Sequence, residues 1–164
     1  ADTANKMVTR LSDFLRYSLY KDPINKVALE QEIYAARLYL EIERVRFSER
    51  LSIVFDIEPG TEQALVPSLI LQPLIENAIK YAVATRKQGA TITISGTREH
   101  DSLHLCISDD GPGSQLQANS GGAGVGLDNI RNRLLQHFGA SARLDVGATP
   151  HGFTVDISLP WQSA

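Results

Sequence analysis

The chain has 164 residues, 43% of them apolar and 21% charged, with a formal net charge of −3. At roughly 150 residues per domain this is one domain and a little more, long enough for one buried core and too apolar for a disordered chain. No apolar run reaches the roughly 18 residues that cross a bilayer, and the opening ADTANKMVTR lacks the apolar segment of a signal peptide. A single cysteine, Cys106, leaves no internal disulfide and suits a reducing compartment. A pI near 5.8 argues against a nucleic-acid surface, which needs a dense basic stripe. The expectation is a soluble, cytoplasmic α/β or α+β domain with an N-terminal extension.

Residues 3–20 read as a helix, with Val8, Leu11, Leu15 and Leu19 on one face and Phe14 and Tyr17 widening it. Asp22-Pro23 ends it, because a residue before proline is pushed out of the α region. A second helix spans about 29–47, with the stripe Leu29, Ile33, Ala36, Leu40 and Phe47, and acid–base pairs such as Glu41/Arg44 and Glu43/Arg46. The two helices form either a hairpin or dimerisation stalk, or helices lying on the core. Leu51, Ile53, Phe55 and Ile57 alternate as a half-buried strand does, and Pro59-Gly60 breaks it. Pro67 suits the first turn of a helix carrying LILQPLIENAIKYA, in which Pro73 predicts a kink or a late start. Residues 91–97 and 103–108 predict two strands of a hairpin. Residues 110–126, with Gly111, Gly113, Gly121, Gly122, Gly124 and Gly126, read as a long functional loop. Asp128 would cap a helix to about Phe138, closed by Gly139, and strands follow at 142–146 and 153–159. Closely spaced strands imply hairpins, hence a mixed, mostly antiparallel sheet with helices on one face.

Three segments could carry chemistry: Glu76-Asn77 on a helix, with Lys80 on the face of Asn77; Asp109-Asp110-Gly111-Pro112-Gly113 at a strand end; and Gly121 to Leu127 before a helix. Singly, each has an ordinary reading as a surface asparagine, a turn or a linker. In this order they make a nucleotide site physically sensible. Mg²⁺ takes oxygen ligands, few of them from protein, and the Asn77 side-chain carbonyl could supply one. A carboxylate at a strand end could accept the exocyclic amino hydrogen of adenine. Glycines beside it allow close approach, and a glycine-rich helix start offers N–H groups to phosphate. Lys80, Arg131 and Arg133 could offset the remaining phosphate charge. Neither GxxxxGK[ST] nor a strand before the glycines is present, so this is no Walker loop and no Rossmann fingerprint.

These residues resemble the GHKL (Bergerat) ATP-binding fold of histidine kinases, type II topoisomerases, Hsp90 and MutL. Asn77 resembles its N-box asparagine, Asp109-x-Gly111-x-Gly113 its adenine-side motif, Gly122, Gly124, Val125, Gly126 and Leu127 its lid, and Gly152-Phe153-Thr154-Val155 its last strand motif. LSDFLRYSLY, LEQEIYAARLYLEIERVRF, LQPLIENAIKYA and GVGLDNIRNRL narrow the resemblance to LytS-like sensor histidine kinases and extend it over almost the whole chain. The resemblance implies an α+β, two-layer α/β sandwich over residues 49–164, preceded by helices over 1–48 left from a dimerisation region. It implies ATP and Mg²⁺ as cofactors, with Asn77 on the metal, Asp109 on adenine, Glu76 and Asn77 at the reaction centre, and Lys80, Tyr81, Arg131 and Thr154 also lining the site. The γ-phosphoryl would pass to a histidine on a dimerisation helix and on to a response regulator, one often carrying a LytTR domain. The full-length protein would be a homodimer, with this part cytoplasmic and an inner-membrane sensor region upstream.

The sequence departs from that pattern in several places. The segment NPHFLFN that would carry the acceptor is not found, and His100, His104, His137 and His151 read as ordinary surface or edge residues. The chain is therefore expected to be a catalytic fragment unable to label itself. Pro73 stands four residues before Asn77, where a polar residue is common in the family, and Tyr81 stands where a histidine is common. Glu76 either polarises the acceptor or holds Lys80 as an i,i+4 pair. Cys106 reads as a small core residue. A different function also fits the missing acceptor and Pro73: a degenerate ATP-binding and dimerisation scaffold without phosphotransfer. A serine-kinase or clamp-type relative fits the paired N-terminal helices less well.

Overall fold

The computed structural model describes residues 2–20, 25–111 and 121–163. Two helices open the chain, α1 (Asp2–Tyr20) and α2 (Leu29–Phe47), separated by the short strand β1 (Lys26–Ala28). Strand β2 (Leu51–Ile57) follows, then β3 (Leu65–Pro67) and the short helix α3 (Gln72–Ala78), which continues into a π turn at Ile79–Val83. The hairpin β4 (Ala90–Glu99) and β5 (Ser102–Asp109), helix α4 (Gly121–Phe138), and the strands β6 (Arg143–Thr149) and β7 (Gly152–Pro160) complete it.

Among the described residues the main sheet has five strands in the order β2-β4-β5-β7-β6. Only β2–β4 is parallel; the other pairs are antiparallel. Side-chain alternation assigns one face to burial. Ile92 and Ile94, Leu103, Leu105 and Ile107, and Val155, Ile157 and Leu159 all point into the core under α2, α3 and α4. The opposite face carries Thr93, Ser95, His104, Cys106, Ser108, Thr154, Asp156 and Ser158, all partly exposed. This is the two-layer α+β sandwich with a mixed, mostly antiparallel sheet. Cys106 belongs to the outer face and is half-buried, not a core residue, and desolvation raises its thiol to about 11.

Every member of the predicted α2 stripe (Leu29, Ile33, Ala36, Leu40, Phe47) belongs to the core. So α2 lies on the core. Helix α1 packs outside α2 through Phe14 against Tyr39, with ring centroids 5.6 Å apart, and through Arg10–Glu41 at 2.9 Å. Its leucine stripe faces away, with Leu19 77% and Val8 63% exposed.

Three expectations need correction. Pro67 does not start a helix but ends β3, a three-residue strand paired with β1, at a sheet edge where a missing N–H is tolerated. The helix begins at Gln72 with Pro73 in its first turn, so the late start holds and the kink does not. Residues 121–126 are helix, not loop, and Asp128 lies inside α4 and caps nothing. Leu127, Ile130 and Leu134 anchor α4 in the core, and a helix anchored downstream adds one hydrogen bond per residue as it extends back through the glycines. Residues 112–120 of the expected loop lie outside the described residues.

If α2 belongs to the core and α1 does not, Leu40→Ala should cost about 2–5 kcal/mol and Leu19→Ala under about 0.5 kcal/mol in urea unfolding. Equal losses would contradict the packing.

Candidate nucleotide site

Asp109 ends β5, the middle strand of the sheet, and takes the inward-facing register. It is 8% exposed, and burial raises its carboxyl to about 6. Oδ1 accepts the Gly111 N–H at 3.0 Å, closing a tight turn. A Cβ on Gly111 would stand 2.5 Å from the Ala82 Cβ, so only glycine lets the turn press against the π segment. A Cβ on Gly152 would meet the Asp109 carbonyl oxygen at 2.5 Å. The strand end is thus closed around Asp109 by two bare backbones.

Helix α3 and its π turn form the neighbouring wall. The π turn is marked by the Ala84 N–H donating to the Ile79 carbonyl at 2.9 Å, a five-residue step often found at functional sites. Asn77 is half-buried, and its Nδ2 lies 3.6 Å from where a Cβ of Gly126 would stand, so α4 approaches α3 at Asn77. Glu76 is exposed and accepts from Gln72 Nε2 at 3.1 Å, so its hydrogen-bond partner is Gln72, not Lys80. Lys80 is exposed, with Nζ 5.0 Å from the centroid of the Tyr81 ring, and Tyr81 is buried. Leu127 is in the core. The backbones of Gly122, Gly124 and Val125 lie in the first turn of α4, and Gly113 lies outside the described residues.

Three expected residues sit elsewhere. Thr154 pairs with Ser108 on the outer face, whereas the residue beside Asp109 on β7 is Phe153. Period-2 alternation separates them. Arg131 is on the exposed side of α4, 3.5 Å from Asp128. Arg133 does not reach toward phosphate: it donates to the carbonyls of Ser68 and Leu69 (3.3 Å to Leu69).

Two arginines were not singled out from sequence. Arg50 donates to the carbonyls of Val83 (3.0 Å), Ala84 (3.3 Å) and Arg86 (2.9 Å), taking up acceptors that the end of α3 leaves open. Arg86 donates to the Asp110 carbonyl at 2.7 Å, and Asp110 accepts the Thr91 N–H at 2.7 Å. These bonds connect the end of α3 to the Asp109 turn across tens of residues, which local pattern cannot reveal. A groove lined by Arg37, Leu40, Glu41, Arg44, Ile53 and Phe55, with Arg37 4.0 Å from the Phe55 ring centroid, contains none of the expected residues.

The buried carboxyl has a stability consequence. With a folded value raised from 3.8 to about 6, Asp109 leaves the fold unburdened below about pH 4 and penalises it increasingly as pH rises through about 6. Asp109→Asn should therefore be more stable than the parent by about 1–3 kcal/mol at pH 7.5, with the gap closing toward pH 4. Thermal unfolding at several pH values checks this; a pH-independent gap would contradict it. Gly111→Ala should cost about 1–3 kcal/mol by overpacking against Ala82, measured in the same way.

Residues 1–51 match the family described as Histidine kinase, and residues 62–163 match the family described as Histidine kinase-, DNA gyrase B-, and HSP90-like ATPase. Sensor histidine kinase YesM of Bacillus subtilis is 36% identical over 159 residues, covering 95% of this chain and 27% of that protein. Sensor histidine kinase BtsS of Escherichia coli is 34% identical over 163 residues (99% and 28%), and sensor protein LytS of Staphylococcus epidermidis 29% over 174 (100% and 29%). The chain thus spans under a third of the length of these relatives. The catalytic domain of histidine kinase ThkA shares the fold, with a TM-score of 0.64 at 15% identity over 83% of this chain and 94% of that one. The chain belongs to the histidine kinase-, DNA gyrase B- and HSP90-like ATPase family, with residues 62–163 as its ATP-binding part.

Proposed function

We propose that this chain is the catalytic part of a two-component sensor histidine kinase. The reading rests on the buried Asp109 carboxylate, with Gly111 closed against Ala82 beside it and Asn77 facing the glycine-rich start of α4. The names of the relatives point the same way. In this reading Asp109 accepts the adenine amino group, and Gly111, Gly113, Gly122, Gly124, Val125, Gly126 and Leu127 surround base and phosphates. Lys80 supplies positive charge, and Tyr81 backs the wall.

Among the described residues no group of three or more His, Cys, Asp or Glu side chains could hold a metal ion. One amide oxygen from Asn77 suits Mg²⁺, which takes its other ligands from phosphate and water. The ion, when bound, neutralises phosphate charge. The γ-phosphoryl breaks its bond to the β-phosphate oxygen and joins an imidazole nitrogen of a histidine outside these 164 residues, releasing ADP. Neutral imidazole already carries a lone pair at pH 7, so Glu76 need only orient it, and positioning does most of the work. The phosphoryl then passes to an aspartate of a response regulator, of LytTR type if the family resemblance of the sequence extends that far.

We assign residues 1–48 to the dimerisation side and 49–164 to the catalytic side, with α2 as the seam because its inner face belongs to the core. The exposed stripe Val8, Leu11, Leu15 and Leu19 suits a homodimer in the full-length protein. No helix among the described residues is long and apolar enough to cross a membrane. We place this part in the cytoplasm, where ATP and regulator are found, under a membrane-bound sensor.

Calorimetry should detect Mg²⁺-dependent ATP binding that Asn77→Ala and Asp109→Asn each weaken about tenfold or more. Variants that bind like the parent would overturn the site. A helix bearing an acceptor histidine, added in trans, should gain acid-labile phosphate. Tight ATP binding without that label would favour the scaffold.

A further inference from the structure

Glu32 lies on α2 among solvated-looking charges, yet it is 3% exposed. A carboxylate that far from water must be held by donors. Its Oε1 accepts the N–H groups of Ile70 (2.8 Å) and Leu71 (3.4 Å), and its Oε2 accepts the Tyr17 hydroxyl from α1. The recipient segment is a tight turn over residues 68–71. Leu69 in it has a φ of 59°, a left-handed conformation that a side chain disfavours. The carbonyls of that turn are taken by α4: Arg133 donates to Ser68 and Leu69. Glu32 also acts on Arg133 through charge, favouring the guanidinium against its burial.

The placement of this turn matters. Leu71 is the N-cap of α3, and its carbonyl accepts the first helical N–H groups, from Leu74 and Ile75 at 3.1 and 3.0 Å. Moving the turn moves α3 and therefore Asn77. Gly126 and Arg133 are seven residues apart on α4, two turns, and so share one face. That face meets α3 twice: at Asn77 through Gly126 and at the turn through Arg133.

We propose that Glu32 and Arg133 are positioning residues of the nucleotide site, gripping one strained turn from opposite sides, and that Tyr17 ties this grip to the placement of α1. The proposal rests on the nucleotide reading above. It makes the N-terminal helix a determinant of nucleotide affinity without touching nucleotide.

The test uses the whole 164-residue chain with Mg²⁺ and ATP. Glu32→Ala and Arg133→Met should weaken binding about tenfold, and Tyr17→Phe about threefold. In the absence of nucleotide, all three should speed amide exchange at Ile70 and Leu71. Glu32→Gln should bind within about threefold of the parent, because its amide oxygen still accepts from Ile70. Ile157→Val, a core truncation on β7 away from α3 and its turn, should lower stability and leave affinity alone. Should Glu32→Ala not fold, Tyr17→Phe removes one hydroxyl and carries the test. Parental exchange at Ile70 and Leu71 in Tyr17→Phe and Arg133→Met would overturn the proposal, as would affinity that merely tracks stability through Ile157→Val. A parent chain that binds no nucleotide would instead sink the nucleotide reading, and the exchange rates would still decide whether the grip exists.

Discussion

Asp109 keeps a carboxyl group 8% exposed at the end of the middle strand, and burial raises it to about 6. A lone buried carboxylate is unfavourable, so its surroundings must compensate. The Gly111 N–H at 3.0 Å does so directly, and that bond exists only because the backbone can turn hard against Ala82. Arg86, bonded to the neighbouring Asp110 carbonyl, adds positive charge nearby. Each carboxylate oxygen accepts more than one bond, so in the proposed site a ligand amino group would add to the donors from the Gly111 and Phe153 backbones.

The rest of the molecule sets the walls around that acceptor. Helix α3 is seven residues long and then widens into a π turn, so it cannot hold its place by its own hydrogen bonds. It is fixed from outside. Arg50 takes the carbonyls at its far end, and Glu32 and Arg133 hold the turn from which it starts. Three charged side chains from three distant segments thus place Asn77 opposite the glycines of α4. Packing of Leu74, Ile75 and Ala78 into the core supplies the remaining constraint.

Much of this was legible from residues alone, where burial imposes a period. Alternation found β2, strands β4 to β7 lie where they are expected, and every member of the 3.6-residue stripe of α2 belongs to the core. The family resemblance on LQPLIENA, Asp109-x-Gly111 and the glycine segment led to the ATPase family that the matches establish. Three-residue strands such as β1 and β3 have no period to read, so from sequence Pro67 suggests a helix start. Glycine's low propensity suggests a late start for α4, and only the anchor that Leu127 and Ile130 provide in the fold moves it back to Gly121. From sequence Arg133 suggests a phosphate partner and Glu32 suggests nothing in particular, since nothing local tells which carbonyls or amides a long side chain will meet. Thr154 came with a motif, and strand parity put it on the outer face.

In the proposed site the Asp109 acceptor distinguishes adenine from guanine, because adenine offers an amino donor where guanine presents an oxygen. NMR spectra of the chain with labelled Asp109 carboxyl and Gly111 amide, titrated with Mg²⁺ and either ATP or GTP, test this most directly. ATP should shift both signals in a saturable way and lower the carboxyl pKa from its value near 6, while GTP at equal concentration should leave them near their free positions. Equal shifts with both nucleotides, or none with ATP, would contradict the account.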